Sequence, residues 1–280
     1  MVSDRLRPPA ALCALGLLIG TSAAVAGEDA SRWDGDARSS ARLIAGSQPA
    51  GGGLVRAGIE LKLKPGWHTY WRYPGDAGMP PSFDFGASSN VEAIEVMWPA
   101  PQRIHEQGMI AIGYTSDVIL PLRITPNDRG KPVTLRLKLG YGVCEKLCVP
   151  AQANAELALA GGTSSQDARL ADAERRVPKK VALGEGSELA IRSVRRDDGS
   201  TPARVIVELA APAGADLFAE GPTVEWALPL PAAIAGAPAG LQRFAFALDG
   251  APPGAKYPGA RLTLTAVAGH TAIEVAIRLD

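Results

Sequence analysis

Cysteine, histidine and aromatic residues are scarce in this 280-residue chain. It has three cysteines (Cys13, Cys144 and Cys148) and three histidines, and aromatic residues make up 5%. So few cysteines exclude a disulfide-rich scaffold, and stability must come from buried apolar surface. The hydrophobic fraction of 46% is sufficient for one or two cores. A structural zinc site of the usual kind is disfavoured, because no second cysteine pair accompanies Cys144 and Cys148.

An excess of charge of either sign is also lacking. Basic and acidic residues number 29 each, and removal of residues 1–26 would leave 27 basic and 28 acidic side chains. This balance indicates neither nucleic acid nor an anionic membrane surface as a partner. No segment after residue 26 approaches the roughly 18 uninterrupted apolar residues of a membrane helix. We therefore expect a mature chain that does not itself span a membrane.

The first 26 residues have the pattern of a secretory signal peptide. A basic start with Arg5 and Arg7 precedes the apolar run AALCALGLLIG, and Ala24 and Ala26 form the A-x-A pattern that signal peptidase cleaves. The apolar run is too short for a transmembrane anchor. Lipid attachment at Cys13 is disfavoured, because the small residue expected just upstream is missing. We predict export, cleavage after Ala26 and loss of Cys13, so that the mature protein is periplasmic.

The rest of the chain alternates with a period of two, which is typical of half-buried β-strands. Pro- and Gly-bearing connections separate the alternating segments. We predict strands at 53–64, 67–73, 91–98, 117–125, 133–141 and 151–159, and then at 188–195, 203–210, 224–228, 241–248, 261–268 and 271–279. The segment AGHT (268–271) predicts a tight hairpin turn, whereas the Pro-started, polar segment 98–114 predicts a long loop.

The pattern changes at 164–178, where Asp, Ala, Glu and Arg dominate. A short helix is predicted there, with Ser165 as its N-cap and Pro178 as its stop. The predicted fold is all-β, with two immunoglobulin-like β-sandwich domains joined by a short helical linker. The predicted boundaries are 30–160 for the first domain, 161–186 for the linker and 187–280 for the second domain.

Cys144 and Cys148 are the main candidates for chemistry. They lie at the turn between two predicted strands, and a disulfide between them would close a very small loop, which stabilises little. Three alternatives stay open at this point: a redox couple, an inert disulfide, or a metal site. For the metal site, the two thiolates would hold Cu(I) with help from Met109 or His105, because soft ligands favour that ion.

The aromatic-rich segment PGWHTYWRYPGD (65–76) allows two interpretations. Strand aromatics usually fill the core of a sandwich, and His68 would then be an ordinary strand residue. Alternatively, these rings form a rim that shields the cysteines.

Four motifs in order resemble a known family: GWHTYWRYPGDAGMPPSFDF, WPAPQRI, IGYTSDVILPLRI and YGVCEKLCVP. Over residues 40–160 the chain resembles the periplasmic N-terminal domain of DsbD-type thiol:disulfide interchange proteins, and it is most similar to their ScsB-like, suppressor-of-copper-sensitivity branch. The resemblance implies an immunoglobulin-like domain with Cys144 and Cys148 as its redox pair. It implies that Tyr70 and His68 lie beside the pair. It also implies a shielding cap over 103–109, whose expected shielding residues are Ile104, His105, Glu106 and Met109.

The resemblance also implies a function. The protein is expected to be a thiol:disulfide oxidoreductase of the protein-disulfide reductase type that passes electrons through Cys144 and Cys148 to or from thioredoxin-fold periplasmic proteins. No cofactor is expected. The family's membrane segment and C-terminal thioredoxin-like domain are missing from the sequence, so a separate membrane thiol reductase is expected as electron donor. The alternatives are a periplasmic copper-tolerance module and a docking sandwich with an inert disulfide.

Overall fold

The structure, a computed structural model, describes Met1 and residues 29–48, 53–76, 78–106, 108–159 and 161–280. Apart from Met1, the predicted signal peptide with its cleavage site after Ala26 lies outside the described residues. Within the described ranges, no helix combines the length and the apolar character needed to cross a bilayer.

The fold is all-β, with nineteen strands and one short helix in the described part of the chain. The strands of the N-terminal half are β1 (Asp34–Gly35), β2 (Ser39–Ala45), β3 (Val55–Leu63), β4 (His68–Gly75), β5 (Ser82–Asp84), β6 (Ala93–Val96), β7 (Gln102–Glu106), β8 (Met109–Tyr114), β9 (Val118–Thr125), β10 (Val133–Cys144) and β11 (Cys148–Leu159). After helix α1 (Asp167–Arg175) follow β12 (Lys179–Lys180), β13 (Ala190–Asp197), β14 (Arg204–Ala210), β15 (Asp216–Glu220), β16 (Ala232–Ile234), β17 (Gln242–Ala247), β18 (Arg261–Ala268) and β19 (Thr271–Arg278).

Two sheets enclose the first hydrophobic core. One has the order β1-β2-β3-β9-β6, the other has the order β11-β10-β4-β8-β7, and β5 pairs with β10. The inward residues of these strands alternate with exposed ones, as in β10, where Val133, Leu135, Leu137 and Leu139 are buried and Arg136 and Lys138 are exposed. This alternation is the one that the sequence predicts for a half-buried strand.

A second pair of sheets encloses a second core. The orders are β12-β19-β18-β15 and β13-β14-β17-β16, and all pairs except β12–β19 are antiparallel. Its buried residues run from Leu189 to Leu279. The predicted hairpin at AGHT is confirmed, because Ala268 pairs with Thr271 and Gly269 has a positive φ of 58°. Two cores fit the predicted pair of sandwiches, although the boundaries at 160 and 187 stay predictions.

Three predictions of local structure are wrong. Residues 98–114 are not a long loop, because β7 and β8 form a hairpin there. Residues 224–228 form no strand: Trp226 and Leu228 are buried from irregular backbone, and strands form instead at β15 and β16. The helix is shorter than predicted, and its N-cap is Gln166 rather than Ser165.

Candidate functional site

Strands β10 and β11 bring Cys144 and Cys148 together. They form an antiparallel ladder of twelve residue pairs that starts at Val133–Leu159 and ends at Cys144–Cys148. The two cysteines are joined by a disulfide, with 4.1 Å between their Cα atoms. The three residues between them form an exposed turn. The redox pair and the inert disulfide share this geometry, so their surroundings must distinguish them.

The two sulfur-bearing residues differ in exposure. Cys144 is buried, with 3% of its surface accessible, whereas Cys148 is exposed at the start of β11. Attack on a disulfide sulfur needs a path for the attacking group, so Cys148 is the accessible end of the bond.

Strand β4 supplies the side chains beside the disulfide. It pairs with the end of β10, so that His68 stands opposite Cys144. The Tyr70 hydroxyl lies 3.0 Å from Cys148 Sγ, and the His68 and Tyr70 rings make an edge contact with their centroids 5.6 Å apart. Both side chains are buried. The rim interpretation of these two residues therefore fits their positions, while Trp71 is fully buried and belongs to the first core.

The β7–β8 hairpin covers the buried sulfur. Ile104 and Ala111 pack with Tyr70 and Cys144 in one small buried cluster. Glu106 pairs with Met109 across the end of the hairpin, where Gly108 has a positive φ of 87°. The described residues of the expected cap, 103–106 and 108–109, thus lie at the end of a hairpin whose register is fixed by the pairing of β7 with β8.

Alternation along β7 decides which predicted cap residues face the cysteines. Ile104 and Glu106 share one face, because successive side chains of a strand point to opposite sides. Glu106 Oε1 lies 2.6 Å from His68 Nε2. His105 is exposed on the opposite face, and Met109 is 46% exposed.

These positions bear on the copper alternative. Among the described residues, His105 is not part of the group of possible metal ligands around Cys144, and Met109 is exposed at the start of β8. The cluster that the described residues do form consists of His68, Glu106 and Cys144, whose ligand atoms lie within 4.8 Å of one another.

Burial changes the acid–base properties of the site. Burial, together with the nearby Glu106 carboxylate, raises the pKa of Tyr70 to about 12. Tyr70 is therefore a neutral hydrogen-bond donor at physiological pH. Burial lowers the pKa of His68, and Glu106 opposes that shift only in part. The imidazole beside Cys144 is therefore held towards its neutral form.

Two features of the site were not predicted from the sequence. Gly142 lets the Tyr70 ring approach the backbone, because a Cβ at position 142 would lie 2.9 Å from its Cε2 atom. Arg103, on the outer face of β7, contacts Asp216 Oδ1 at 2.9 Å and donates hydrogen bonds to the carbonyls of Leu217 and Pro231 at 3.1 and 2.6 Å. The glycine within the predicted strand is the sequence signal for the close approach of Tyr70 to residue 142. No local sequence pattern indicates the contacts of Arg103.

Comparisons with known proteins agree with this description. The N-terminal periplasmic domain of ScsB from Proteus mirabilis has a similar fold, with a TM-score of 0.71, 19% identity, and coverage of 90% of this chain and 98% of that one. A search of curated proteins finds no significant match. Residues 41–160 match the family model described as thiol:disulfide interchange protein DsbD, N-terminal. The resemblance carried by the four motifs is thereby confirmed over residues 41–160, which match this family model and include the Cys144–Cys148 disulfide.

Proposed function

We propose that the protein exchanges electrons with other proteins through the Cys144–Cys148 pair, as a thiol:disulfide oxidoreductase of the protein-disulfide reductase type. The observation that carries this proposal is the asymmetric disulfide: one cysteine is exposed and the other is buried under the β7–β8 hairpin. An inert disulfide needs neither an accessible sulfur nor a hydroxyl group beside it, whereas a redox pair uses both.

The first step joins the two proteins. In the reduced protein, the Cys148 thiolate attacks one sulfur of a partner disulfide, and a mixed disulfide forms as the partner's S–S bond breaks. The partner's second sulfur leaves as a thiolate and takes a proton. The Tyr70 hydroxyl lies at hydrogen-bonding distance from Cys148 Sγ, so it can donate to the thiolate before the attack.

The second step releases the partner. Cys144, deprotonated as it reacts, attacks Cys148 Sγ, and the mixed disulfide breaks. The partner's remaining sulfur leaves as a thiolate and is protonated. Two electrons and two protons have then moved from this protein to the partner, and the Cys144–Cys148 disulfide is restored. The same steps in reverse, with the dithiol of an electron donor, reduce the Cys144–Cys148 disulfide again.

The resemblance to DsbD-type proteins supports a proposal for the partners and the location. We infer that thioredoxin-fold proteins undergo disulfide exchange with Cys148 and that a separate membrane thiol reductase supplies electrons. Both reactions would occur in the periplasm, after the signal peptide is cleaved following Ala26. The copper-binding alternative with Met109 and His105 is not proposed, because among the described residues no contact of either with the sulfurs supports it.

Trapping tests the proposal. Cys144→Ser leaves Cys148 without its resolving partner, so this variant should accumulate mixed disulfides with thioredoxin-fold proteins in a periplasmic extract. Cys148→Ser should accumulate far fewer, because Cys144 is buried. Non-reducing electrophoresis and mass spectrometry identify the adducts, and the double variant is the matched control.

The equilibrium potential provides a second measurement. A working pair should equilibrate with a glutathione or dithiothreitol buffer near the potentials of exchange proteins, about −120 to −270 mV. A potential below about −300 mV, together with no exchange with any thioredoxin-fold protein, would contradict the proposal and favour the inert disulfide.

A further inference from the structure

His68 has a buried nitrogen that lacks a hydrogen bond. Its side chain is 6% exposed, and Nε2 has no hydrogen-bond partner among the described residues. Glu106 Oε1 nevertheless lies 2.6 Å from Nε2, so the two polar atoms approach each other without hydrogen-bond geometry. Buried polar atoms normally have hydrogen-bond partners, and a close contact that lacks hydrogen-bond geometry needs an explanation. A metal ion bound by both His68 Nε2 and Glu106 Oε1 is one arrangement that gives each atom a partner.

A sulfur atom lies close to the same pair. Cys144 Sγ and one ligand atom each of His68 and Glu106 all lie within 4.8 Å of one another. Cys148 Sγ is bonded to Cys144 Sγ in the disulfide. Reduction of that bond would therefore add a second thiolate to the group. The Cys148 thiolate would have to turn from its exposed position towards His68 and Glu106 to complete a set of two sulfurs, one imidazole nitrogen and one carboxylate oxygen.

We propose that the reduced protein binds one Zn²⁺ ion through Cys144, Cys148, His68 and Glu106, and that the disulfide form does not. Zinc accepts thiolate, imidazole and carboxylate ligands in a tetrahedral arrangement at about 2.0–2.3 Å. Cu(I) prefers soft sulfur ligands, and a carboxylate oxygen favours the harder zinc ion. Ile104 and Tyr70 pack against Cys144, which is the apolar surround that limits access of water to a metal site.

The chemistry balances without a redox change at the metal. Two electrons and two protons from a reducing dithiol or phosphine convert the disulfide to two thiols. Zinc binding then displaces both thiol protons, and zinc stays divalent throughout. The site needs only a reduced pair, so it does not depend on exchange with any partner. Bound zinc would occupy both sulfurs and so withdraw the pair from exchange.

Zinc titration of the full-length mature protein tests this inference. The protein is reduced with a phosphine, desalted under argon and titrated with Zn²⁺ against a chromophoric chelator. We expect one equivalent bound by the reduced protein and none by the disulfide form. Co²⁺ in place of zinc should give the intense visible bands of a tetrahedral site with thiolate ligands.

Variants separate this site from simple binding by two thiols. Glu106→Gln and His68→Ala should each weaken zinc affinity at least tenfold, and Glu145→Gln, an exposed acid in the turn beside Cys144, should leave it unchanged. Because Glu106 lies at the hairpin tip, its variant serves even if the His68 variant does not fold. The inference is overturned if reduced wild-type protein binds no zinc, if neither variant weakens binding, or if His105→Ala weakens it as much. Exchange measured in the presence of EDTA reports on the proposed function separately.

Discussion

The hydroxyl group of Tyr70 lies beside the exposed sulfur of Cys148. Tyr70 keeps its proton, since its pKa is about 12, and its hydroxyl lies 3.0 Å from Cys148 Sγ. Tyr70→Phe removes this donor while keeping the ring. A hydrogen bond to a charged group contributes about 1.5–3 kcal/mol, so we expect the reduced variant to exchange roughly tenfold more slowly at neutral pH. Stopped-flow reaction with a model disulfide measures the rate.

Tyr73→Phe is the matched control for that change. The Tyr73 hydroxyl donates to the Leu228 carbonyl at 2.6 Å, away from the cysteines. Its removal should alter the unfolding midpoint but leave the exchange rate within a factor of about two. Equal rates for Tyr70→Phe and wild-type protein would show that the contact does not assist the thiolate.

The β7–β8 hairpin acts as one element, and Ile104 is the side chain through which it covers Cys144. Ile104→Ala should open a gap above the buried sulfur. We expect a loss of stability of about 2 kcal/mol, at the low end for such truncations because the residue lies near the surface. Reduction of the disulfide by a bulky phosphine should become several-fold faster.

The exposed residue Leu147 provides the control for the cap. It is 74% exposed in the turn between the cysteines, so Leu147→Ala removes similar apolar surface without uncovering Cys144. If both variants are reduced at the wild-type rate, the hairpin does not limit access to the disulfide.

The sequence predicts this element poorly, for local reasons. Pro99 and Pro101 before it and Gly108 within it are typical of loops, and the polar residues around Ile104 conceal the alternation that buries this side chain. The long strands were predicted well, since β10 alternates over most of its length. The contact between His68 and Glu106 joins residues 38 positions apart, and it depends on the pairing of β4 with β8 and of β8 with β7. No local pattern encodes that register.

Helix α1 is attached to the first sandwich through Glu60. This buried carboxylate is paired with Arg42 at 2.7 Å and with Arg169 of the helix. Burial raises the pKa of Glu60, but the hydrogen bonds from Arg169 and Arg42 outweigh it, so the pKa lies below its ordinary value. A carboxyl group with a lowered pKa stabilises the fold above its unfolded pKa of about 4.3, and the effect is lost as the pH falls through its folded pKa.

We therefore expect the free energy of unfolding to fall as the pH is lowered from about 5 to below 4. Glu60→Gln should lose about 2 kcal/mol at pH 7 and should show a smaller drop across that window. Urea unfolding at pH 7, 5 and 3.5 measures both effects. Glu92→Gln, at an exposed position, should behave as wild-type protein. An identical pH profile for Glu60→Gln and wild-type protein would contradict this assignment.

At the scale of the whole molecule, the two cores are joined by side chains rather than by the linker alone. Phe218 of β15 is fully buried in the first core, 6.0 Å from the Trp71 ring. Arg72 of β4 lies 2.6 Å from both Glu220 and Glu274. The same strand carries Tyr70 and His68, so the second sandwich packs against the elements that form the site.

Arg72→Met should weaken this junction. The change leaves Glu220 and Glu274 partly buried without their cation, and we expect a loss of about 2 kcal/mol. In calorimetry, two separate thermal transitions should replace the single transition of the wild-type protein, and trypsin should cut the 161–186 segment faster. Arg261→Met, at an exposed position of the second sandwich, is the control. A single unchanged transition in Arg72→Met would show that the apolar contact at Phe218 suffices.

The ladder between β10 and β11 has a consequence for the speed of electron transfer. Cys144 and Cys148 are paired directly across the last rung, and eleven further rungs fix the two strands behind them. We therefore expect the main chain of β10 and β11 to keep its conformation when the sulfur–sulfur bond is cleaved. The structural change, and with it the reorganisation energy of the reaction, is then confined to the two cysteine side chains and the β7–β8 hairpin above them. Amide chemical shifts of the oxidised and reduced forms should differ mainly around residues 142–150 and near the tip of the hairpin.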